Sequence, residues 1–301
     1  MLIYLNTSGE LKPIHEKRFK LEKDIQTIFE ENISIVMNLQ LVKSEFTIKN
    51  KRIDTLAFDP STNAFIIIEY KRDKNMSVVD QGFTYLSLML ENKADFIVEY
   101  NESLKMNLKR EQVDWSQSRV AFVSQSFTEN QIQATNFKDI AIELWEVKQY
   151  DNNTIAINNI KKSNSAESVK PITQQNKVLK KITDEIKVYT EEEHLENASD
   201  LTLELYEKFK SAILNLSDNI EVKPQKYYIA FKKDRNISDF EVQKKSIKLS
   251  INLKAGKLDD PKCLAKDVSN IGHRGNGDYQ IQIENDNDLE YIMSLIKQAI
   301  Q

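Results

Sequence analysis

Cysteine, glycine and proline are scarce in this chain of 301 residues, which has one cysteine, six glycines and five prolines. The single cysteine, Cys263, excludes an internal disulfide and a zinc site built from cysteines, and it favours a reducing compartment. So few glycines and prolines argue against long flexible linkers and against a glycine-rich phosphate-binding loop.

Long apolar runs and a strong excess of charge are also lacking. The apolar run from Phe65 to Ile68 is far shorter than the ~20 residues that cross a bilayer, so no membrane partner is expected. The segment Met1 to Asn6 lacks the basic start and long apolar centre of a signal peptide, so we expect a cytoplasmic protein. A net charge of -4 means that any site for a polyanion must be a local patch.

Hydrophobic periodicity predicts an α/β fold over the first half of the chain. The predicted elements are a helix at 17–31, strands at 41–48, 52–58 and 65–70, a helix at 76–91, strands at 96–100 and 119–124, a short helix at 128–136, and a hairpin of 140–147 with 154–160. This order indicates a central sheet with helices packed on it.

The length of the chain suits two domains. Residues 161–185 are polar, which predicts a linker between a first domain at 1–160 and a second domain at 186–301. For the second, smaller domain the pattern predicts an α+β fold. Its elements are a helix at 199–215, strands at 227–231, 247–253 and 279–283, and a helix at 288–300.

Charged residues stand at the end of the apolar strand 65–70. Glu69 and Lys71 project from one face because side chains alternate along a strand, and Asp54 lies on the preceding strand across a short turn. Two carboxylates from adjacent strands suit Mg²⁺ or Mn²⁺, and we expect the backbone carbonyl of Tyr70 as a further ligand. A lysine beside them can orient water and neutralise charge on a phosphate.

Helices before and after these strands carry further candidates. Glu22 borders the apolar stripe of the first helix and can reach toward the same cluster. Gln81 and Tyr85 are four residues apart and so lie on one helix face. The simpler alternatives are a surface ion pair for Glu69 and Lys71, a solvated glutamate at Glu22, and a packing tyrosine at Tyr85.

Taken in order, these residues resemble the motifs of the PD-(D/E)XK nucleases. Residues 15 to 125 carry the resemblance, through a helical Glu, an Asp, Glu-X-Lys and Gln-X-X-X-Tyr. The last motif resembles the branch with RecB-like nuclease domains, and Arg52-Ile53-Asp54 with 68–72 looks closest to the NucS-like domain. One departure is that no proline precedes Asp54.

The resemblance implies a restriction-endonuclease-like mixed central sheet flanked by helices and a Mg²⁺-dependent (or Mn²⁺-dependent) nuclease whose expected substrate is DNA. It implies metal binding by Asp54 and Glu69. The catalytic set that it implies is Asp54, Glu69, Lys71, Glu22, Gln81 and Tyr85. The alternative hypothesis is a protein that binds nucleic acid or another protein on a nuclease fold that has lost catalysis. A homodimer is left open.

The second domain contains a basic run from Lys223 to Lys257, with ten Lys/Arg against three Asp/Glu. Tyr227, Tyr228, Phe231 and Phe240 lie within it, so it is either a nucleic-acid patch or the solvated face of amphipathic strands. The candidate contacts are Lys226, Lys232, Lys233, Arg235, Lys244 and Lys245.

The last stretch of the chain resembles a small domain of unknown function found behind such nuclease domains, in chains sometimes labelled "predicted transport protein". No membrane segment supports transport. The glycine-dense segment 272–277 includes His273. It is either an anion-binding or catalytic loop, or a turn that needs positive φ at its glycines, and we favour the turn.

Overall fold

The computed structural model describes residues 2–72, 77–163, 165–173, 176–233 and 235–300. The chain divides into two compact units, Met1–Val188 and Tyr189–Gln301. No helix in the described ranges is both long enough and apolar enough to cross a membrane.

The first unit combines strands and helices. Its strands are β1 (Ile3–Thr7), β2 (Glu10–Ile14), β3 (Glu16–Lys17), β4 (Gln40–Ile48), β5 (Lys51–Asp59), β6 (Ala64–Lys71), β7 (Arg119–Ser124), β8 (Ile142–Tyr150) and β9 (Ile155–Ile160). Its helices are α1 (Glu22–Glu31), α2 (Ile33–Val36), α3 (Val78–Glu91), α4 (Lys93–Leu104), α5 (Glu129–Thr135), α6 (Lys170–Thr173) and α7 (Lys177–Glu185).

A mixed sheet forms the centre of this unit. Its strand order is β3-β8-β7-β6-β5-β4, with β9 paired to β8, and β6, β7 and β8 are parallel to one another. The apolar residues of β6 are buried on both faces, with Phe65 and Ile67 in a core shared with α3 and α4, and Ile66 and Ile68 in a core shared with α1. The prediction of a mixed central sheet flanked by helices is therefore confirmed.

Two predicted segments are wrong. Residues 96–100 belong to helix α4 and not to a strand, because Phe96, Ile97 and Tyr100 are buried at helical spacing. A short apolar run cannot by itself distinguish the two periods. Within the predicted linker 161–185, residues 170–173 and 177–185 form α6 and α7, and Val169 and Ile182 belong to the core of the first unit. Met76, Asn164, Gln174 and Gln175 lie outside the described residues.

The second unit is a smaller α+β fold. Its helices are α8 (Glu191–Leu195), α9 (Asp200–Leu214) and α10 (Leu289–Gln298), and its strands are β10 (Glu221–Pro224), β11 (Ile229–Lys232), β12 (Asn236–Val242), β13 (Ile247–Ile251), β14 (Lys266–Asp267) and β15 (Tyr279–Ile283). The strands form an antiparallel sheet in the order β10-β11-β12-β13-β15-β14. One face packs on α9 and α10 through Phe209, Phe231, Phe240 and Ile296, and the other face is polar at Asp239.

Candidate active site

The predicted carboxylates meet where β5 and β6 end their pairing. The ladder between the two strands stops at Thr55 and Ile68, so Asp54 and Glu69 are the next residues on each strand. The Asp54 amide donates to Glu69 Oε1 at 3.2 Å, and the Tyr70 amide donates to Asp54 Oδ2 at 3.0 Å. Each carboxylate therefore accepts a backbone hydrogen bond from the neighbouring strand, which fixes the two groups beside each other.

Three further side chains surround the Glu69 carboxylate. Lys71 Nζ lies 3.2 Å from Glu69 Oε2, and the two side chains are only 15% and 3% exposed. Gln81 Nε2 donates to Glu69 Oε2 at 3.1 Å and to the Tyr85 hydroxyl at 3.2 Å, and the Tyr85 hydroxyl also bonds to Glu69. Helix α3 thus brings Gln81 and Tyr85 together with the strand residues.

Burial dominates the electrostatics of this cluster. It raises the pKa of both the Asp54 and the Glu69 carboxyls, and the charge of Asp54 raises the pKa of Glu69 further. The Lys71 ammonium acts in the opposite direction on both. Burial also raises the pKa of the Tyr85 hydroxyl, and the Glu69 charge adds to that shift. A buried carboxylate and a half-buried one side by side favour a cation between them.

Helix α1 presents a polar stripe to the ends of the strands, with Glu22, Gln26 and Glu30 spaced four apart. Glu22 Oε1 accepts from the Arg72 amide at 2.9 Å, and its charge raises the pKa of Asp54. The structure therefore brings Glu22 to the cluster, although its side chain is exposed.

Gln26 is a residue that the sequence analysis did not identify. It is buried, and its Nε2 donates to the Asp54 carbonyl oxygen at 3.0 Å and to Glu30 Oε1 at 2.8 Å. Glu30 in turn accepts from the Thr55 hydroxyl. The one available signal was its position on helix α1, one turn after Glu22 and beside the apolar stripe that contains Ile25 and Phe29.

The donor set fits a hard divalent cation. Among the described residues, no group of three or more His, Cys, Asp or Glu side chains is arranged to hold a metal ion, so the site offers the two carboxylates of Asp54 and Glu69. Mg²⁺ is commonly held by one or two carboxylates, with waters and substrate oxygens completing its shell. Gln81 Oε1 is buried without a hydrogen-bond partner among the described residues, so a further oxygen is available. The Tyr70 side chain lies 3.3 Å from the Thr55 hydroxyl, so only the Tyr70 backbone could serve the site.

The six basic candidates of the second unit do not form one patch. Lys226 precedes β11, and Lys244 and Lys245 lie in the turn after β12, which is the same end of the sheet. Lys232, Lys233 and Arg235 surround the β11–β12 turn at the opposite end. Because β12 has seven residues, about 20 Å separates the two groups.

Two more observations correct the predicted patch. Arg235 Nη2 donates to the Ala299 carbonyl at 3.2 Å, so it has a structural contact within the unit. Phe231 and Phe240 are fully buried in the core and Tyr228 is 6% exposed, whereas Tyr227 is 46% exposed. Asp234 of the same run lies outside the described residues.

Comparison with known proteins adds a family for the whole chain. An uncharacterized protein of Haemophilus influenzae (strain ATCC 51907 / DSM 11121 / KW20 / Rd) is 59% identical over 301 residues, which is 100% of both chains. The chain belongs to the family of that protein. Within it, residues 191–301 match the family described as Domain of unknown function (DUF5655).

Two solved structures align with part of the chain. A repair endonuclease from Pyrococcus abyssi is 17% identical over 43% of this chain and 48% of its own length, with a TM-score of 0.25. The EndoMS–dsDNA2 complex is 15% identical over 43% of this chain and 47% of its own length, with a TM-score of 0.26. The aligned region thus spans about half of each structure.

Proposed function

We propose that the first unit is a metal-dependent nuclease that hydrolyses phosphodiester bonds of DNA. The observation that carries this proposal is the convergence of Asp54, Glu69 and Lys71 at adjoining strand ends, with Gln81 and Tyr85 bonded to Glu69. A carboxylate as buried as that of Glu69, beside a second carboxylate, is costly unless the charges pair or bind a cation, so a structural role alone explains the cluster poorly.

Asp54, Glu69 and the backbone carbonyl of Tyr70 are the groups that would hold Mg²⁺ or Mn²⁺. When bound, such an ion lowers the pKa of water and neutralises phosphate charge. Lys71 is held by Glu69 and can donate to the attacking water or to a phosphate oxygen. Gln81 and Tyr85 fix the orientation of the Glu69 carboxylate, and Gln26 fixes the backbone that carries Asp54.

The alternative is a unit that binds nucleic acid without cleaving it. The observation that favours it is the acidic set itself, because no three carboxylates among the described residues are arranged to hold a metal ion and Lys71 already pairs with Glu69. A cleavage assay combined with a metal-binding measurement separates the two proposals.

The test compares wild type with Glu69→Gln, Asp54→Asn and Lys71→Met on single-stranded, duplex, branched and mismatched DNA with Mg²⁺ or Mn²⁺. We expect the two carboxylate variants to lose both cleavage and calorimetric Mn²⁺ binding while DNA binding persists. We expect Lys71→Met to lower the rate on the order of 10²-fold or more. Lys43→Met is the matched control, because Lys43 lies on β4 and pairs with Glu99 of helix α4. The enzyme proposal fails if wild type cleaves neither DNA nor RNA, or if Glu69→Gln still cleaves.

A second variant pair tests the bonds that helix α3 makes to Glu69. Tyr85→Phe removes one hydroxyl from a charged acceptor, so we expect a rate about tenfold lower. Tyr100→Phe removes a hydroxyl of the same unit that bonds to Gln40 at 3.3 Å, and it should leave the rate unchanged. Equal rates in the two variants would remove Tyr85 from the catalytic set.

A further inference from the structure

The segment 272–277 of the second unit, which we call the Arg274 loop, is packed tightly against strand β13. A Cβ at Gly275 would lie 2.2 Å from Ser250 Oγ, and a Cβ at Gly277 would lie 2.1 Å from the Ile251 carbonyl oxygen. Gly277 also has a φ of +81°. Position 277 therefore accepts only glycine, and the backbone of the loop is fixed at this point.

A buried carboxylate anchors the loop. Asp239 is 1% exposed, and its Oδ2 accepts from the Asn276 amide at 2.5 Å and from Asn276 Nδ2 at 3.1 Å. Its Oδ1 accepts from Asn236 Nδ2 at 2.7 Å. Burial raises the pKa of Asp239 to about 6. These hydrogen bonds hold Asp239 in place although burying its charge costs free energy. Asp239 therefore connects the sheet firmly to the loop.

The same asparagine joins the loop to the residues that precede β11. Asn276 Nδ2 donates to the Tyr228 hydroxyl at 2.8 Å, next to Tyr227 in the chain. His273 stiffens the loop from within, because its Nδ1 lies 2.9 Å from the Ile271 carbonyl oxygen and its Nε2 lies 2.7 Å from that of Gly277. The loop is therefore held in one place relative to Tyr227.

The Arg274 loop places a cation against an exposed aromatic ring. The guanidinium carbon of Arg274 lies 4.9 Å from the ring centroid of Tyr227, and Lys226 Nζ lies 5.3 Å from it. The Arg274 and Tyr227 side chains are exposed, and no carboxylate in the described part of the chain pairs with Arg274. An arginine oriented by a ring can still present its N–H donors to a phosphate, and aromatic side chains beside such cations receive bases.

We propose that Arg274, Tyr227 and Lys226 form a contact site of the second unit for a nucleic-acid strand. Arg274 and Lys226 bind the phosphodiester backbone, and the ring of Tyr227 adds contact with an unstacked base. The buried Asp239–Asn276 tie explains why Arg274 is in place before a strand binds, which lowers the ordering cost of binding. This site does not depend on cleavage by the first unit.

The test is fluorescence anisotropy of the full chain with a labelled single-stranded DNA in EDTA, which suppresses metal-dependent cleavage. We expect Arg274→Ala and Tyr227→Ala each to weaken binding by about fivefold or more. The salt slope is the slope of the logarithm of the binding constant against the logarithm of the salt concentration. Arg274→Ala should reduce its magnitude by about one, and Arg274→Lys should leave it unchanged. Lys262→Ala is the matched control: Lys262 Nζ also lies over a ring, 4.4 Å from the centroid of Tyr291, but it pairs with Asp288 at 3.3 Å.

Competitors identify the ligand class in the same assay. Unlabelled DNA should displace the probe, whereas polyglutamate and thymidine monophosphate should not at matched phosphate or carboxylate concentration. The proposal is overturned if Arg274→Ala keeps the affinity and salt slope of wild type, or if polyglutamate or the mononucleotide competes as well as DNA. Because no cleavage is measured, these outcomes are independent of the nuclease proposal.

Discussion

Single residues show two uses of a buried carboxylate in this chain. Asp54 and Glu69 lie beside each other, burial opposes the charge of both, and the Asp54 charge further opposes that of Glu69. Asp239 instead faces amide donors from Asn236 and Asn276, which favour its charge while burial opposes it. The first arrangement is what a cation would stabilise, and the second holds a loop.

The raised pKa of Asp239 predicts how the stability of the second unit depends on pH. Its pKa is about 6 in the folded protein against an ordinary value of 3.8, so between these values the folded state holds a proton that the unfolded chain has lost. The free energy of unfolding should therefore rise as the pH falls from 7 to 5, by about 1 kcal/mol, and this gain should be lost as the pH rises through 6.

Hydrogen exchange of the β12 and β13 amides measures this effect, because it reports opening of the second unit alone. Asp239→Asn is the control, because it removes the titrating carboxyl and its contribution to the pH dependence. The difference in the free energy of unfolding between wild type and Asp239→Asn should therefore change with pH. A carboxyl-carbon NMR titration gives the midpoint of Asp239 directly. A midpoint near 4 would contradict the prediction.

The residues of the candidate site differ in how far sequence predicts them. Glu69 and Lys71 follow from the alternation of a strand, and Asp54 from its place on the preceding strand. Gln26 could not be assigned, because a helical glutamine carries no sign of which carbonyl it will meet. The contact between Arg274 and Tyr227 could not be predicted from the sequence either. It depends on how two loops, 47 residues apart in the chain (274 against 227), come together on one sheet.

At the scale of elements, helix α3 is the part that brings functional groups to the strands. Gly82 lets it approach strand β8 closely, because a Cβ there would lie 2.4 Å from Ile142 Cδ1 and 2.9 Å from Ile142 Cγ1. The residue before it, Gln81, bonds to Glu69. The close approach of α3 and the geometry of the candidate site are thus linked through neighbouring residues.

Replacing this glycine tests the link. We expect Gly82→Val to push α3 away from β8, lower the free energy of unfolding by about 1–3 kcal/mol, and weaken the bond between Gln81 and Glu69. Denaturant unfolding measures the first effect, and Mn²⁺ binding measures the second. Thr84→Val, on the exposed face of the same helix, is the control. Unchanged stability in Gly82→Val would show that Ile142 moves aside freely.

Elements were predictable where one period was clear. The strands predicted at 41–48, 52–58 and 65–70 correspond to β4, β5 and β6. Segment 96–100 failed because five residues do not separate alternation from a helical stripe. The basic run of the second domain failed as one patch because antiparallel strands send successive turns to opposite ends of a sheet, which charge counting along the chain ignores.

At the scale of the whole molecule, each of the two units has its own apolar core. The core of the first unit includes Val169, Ile182 and Ile186, all of which follow residue 160. The polar composition of this segment did not indicate its contribution to the apolar core, because α7 buries only a narrow apolar stripe and exposes its lysines. The first unit therefore needs the chain up to Val188, and a domain that ended at 160 would lack part of its core.

This requirement gives a prediction for fragments of the chain. Residues 1–188 should unfold cooperatively in denaturant, followed by the fluorescence of Trp115 and Trp145. Residues 1–160 should be far less stable, because each buried aliphatic side chain that is lost contributes about 1.5–3 kcal/mol against a total of roughly 5–15 kcal/mol for a domain.

A point variant in the longer fragment tests the same contribution. The free energy of unfolding of Ile182→Ala should lie between those of the two fragments, about 2–5 kcal/mol below that of residues 1–188. Val178→Ala is the matched control, because Val178 is on the same helix but 55% exposed. If the two fragments have equal unfolding midpoints, α6 and α7 do not stabilise the core and a boundary at 160 is correct after all.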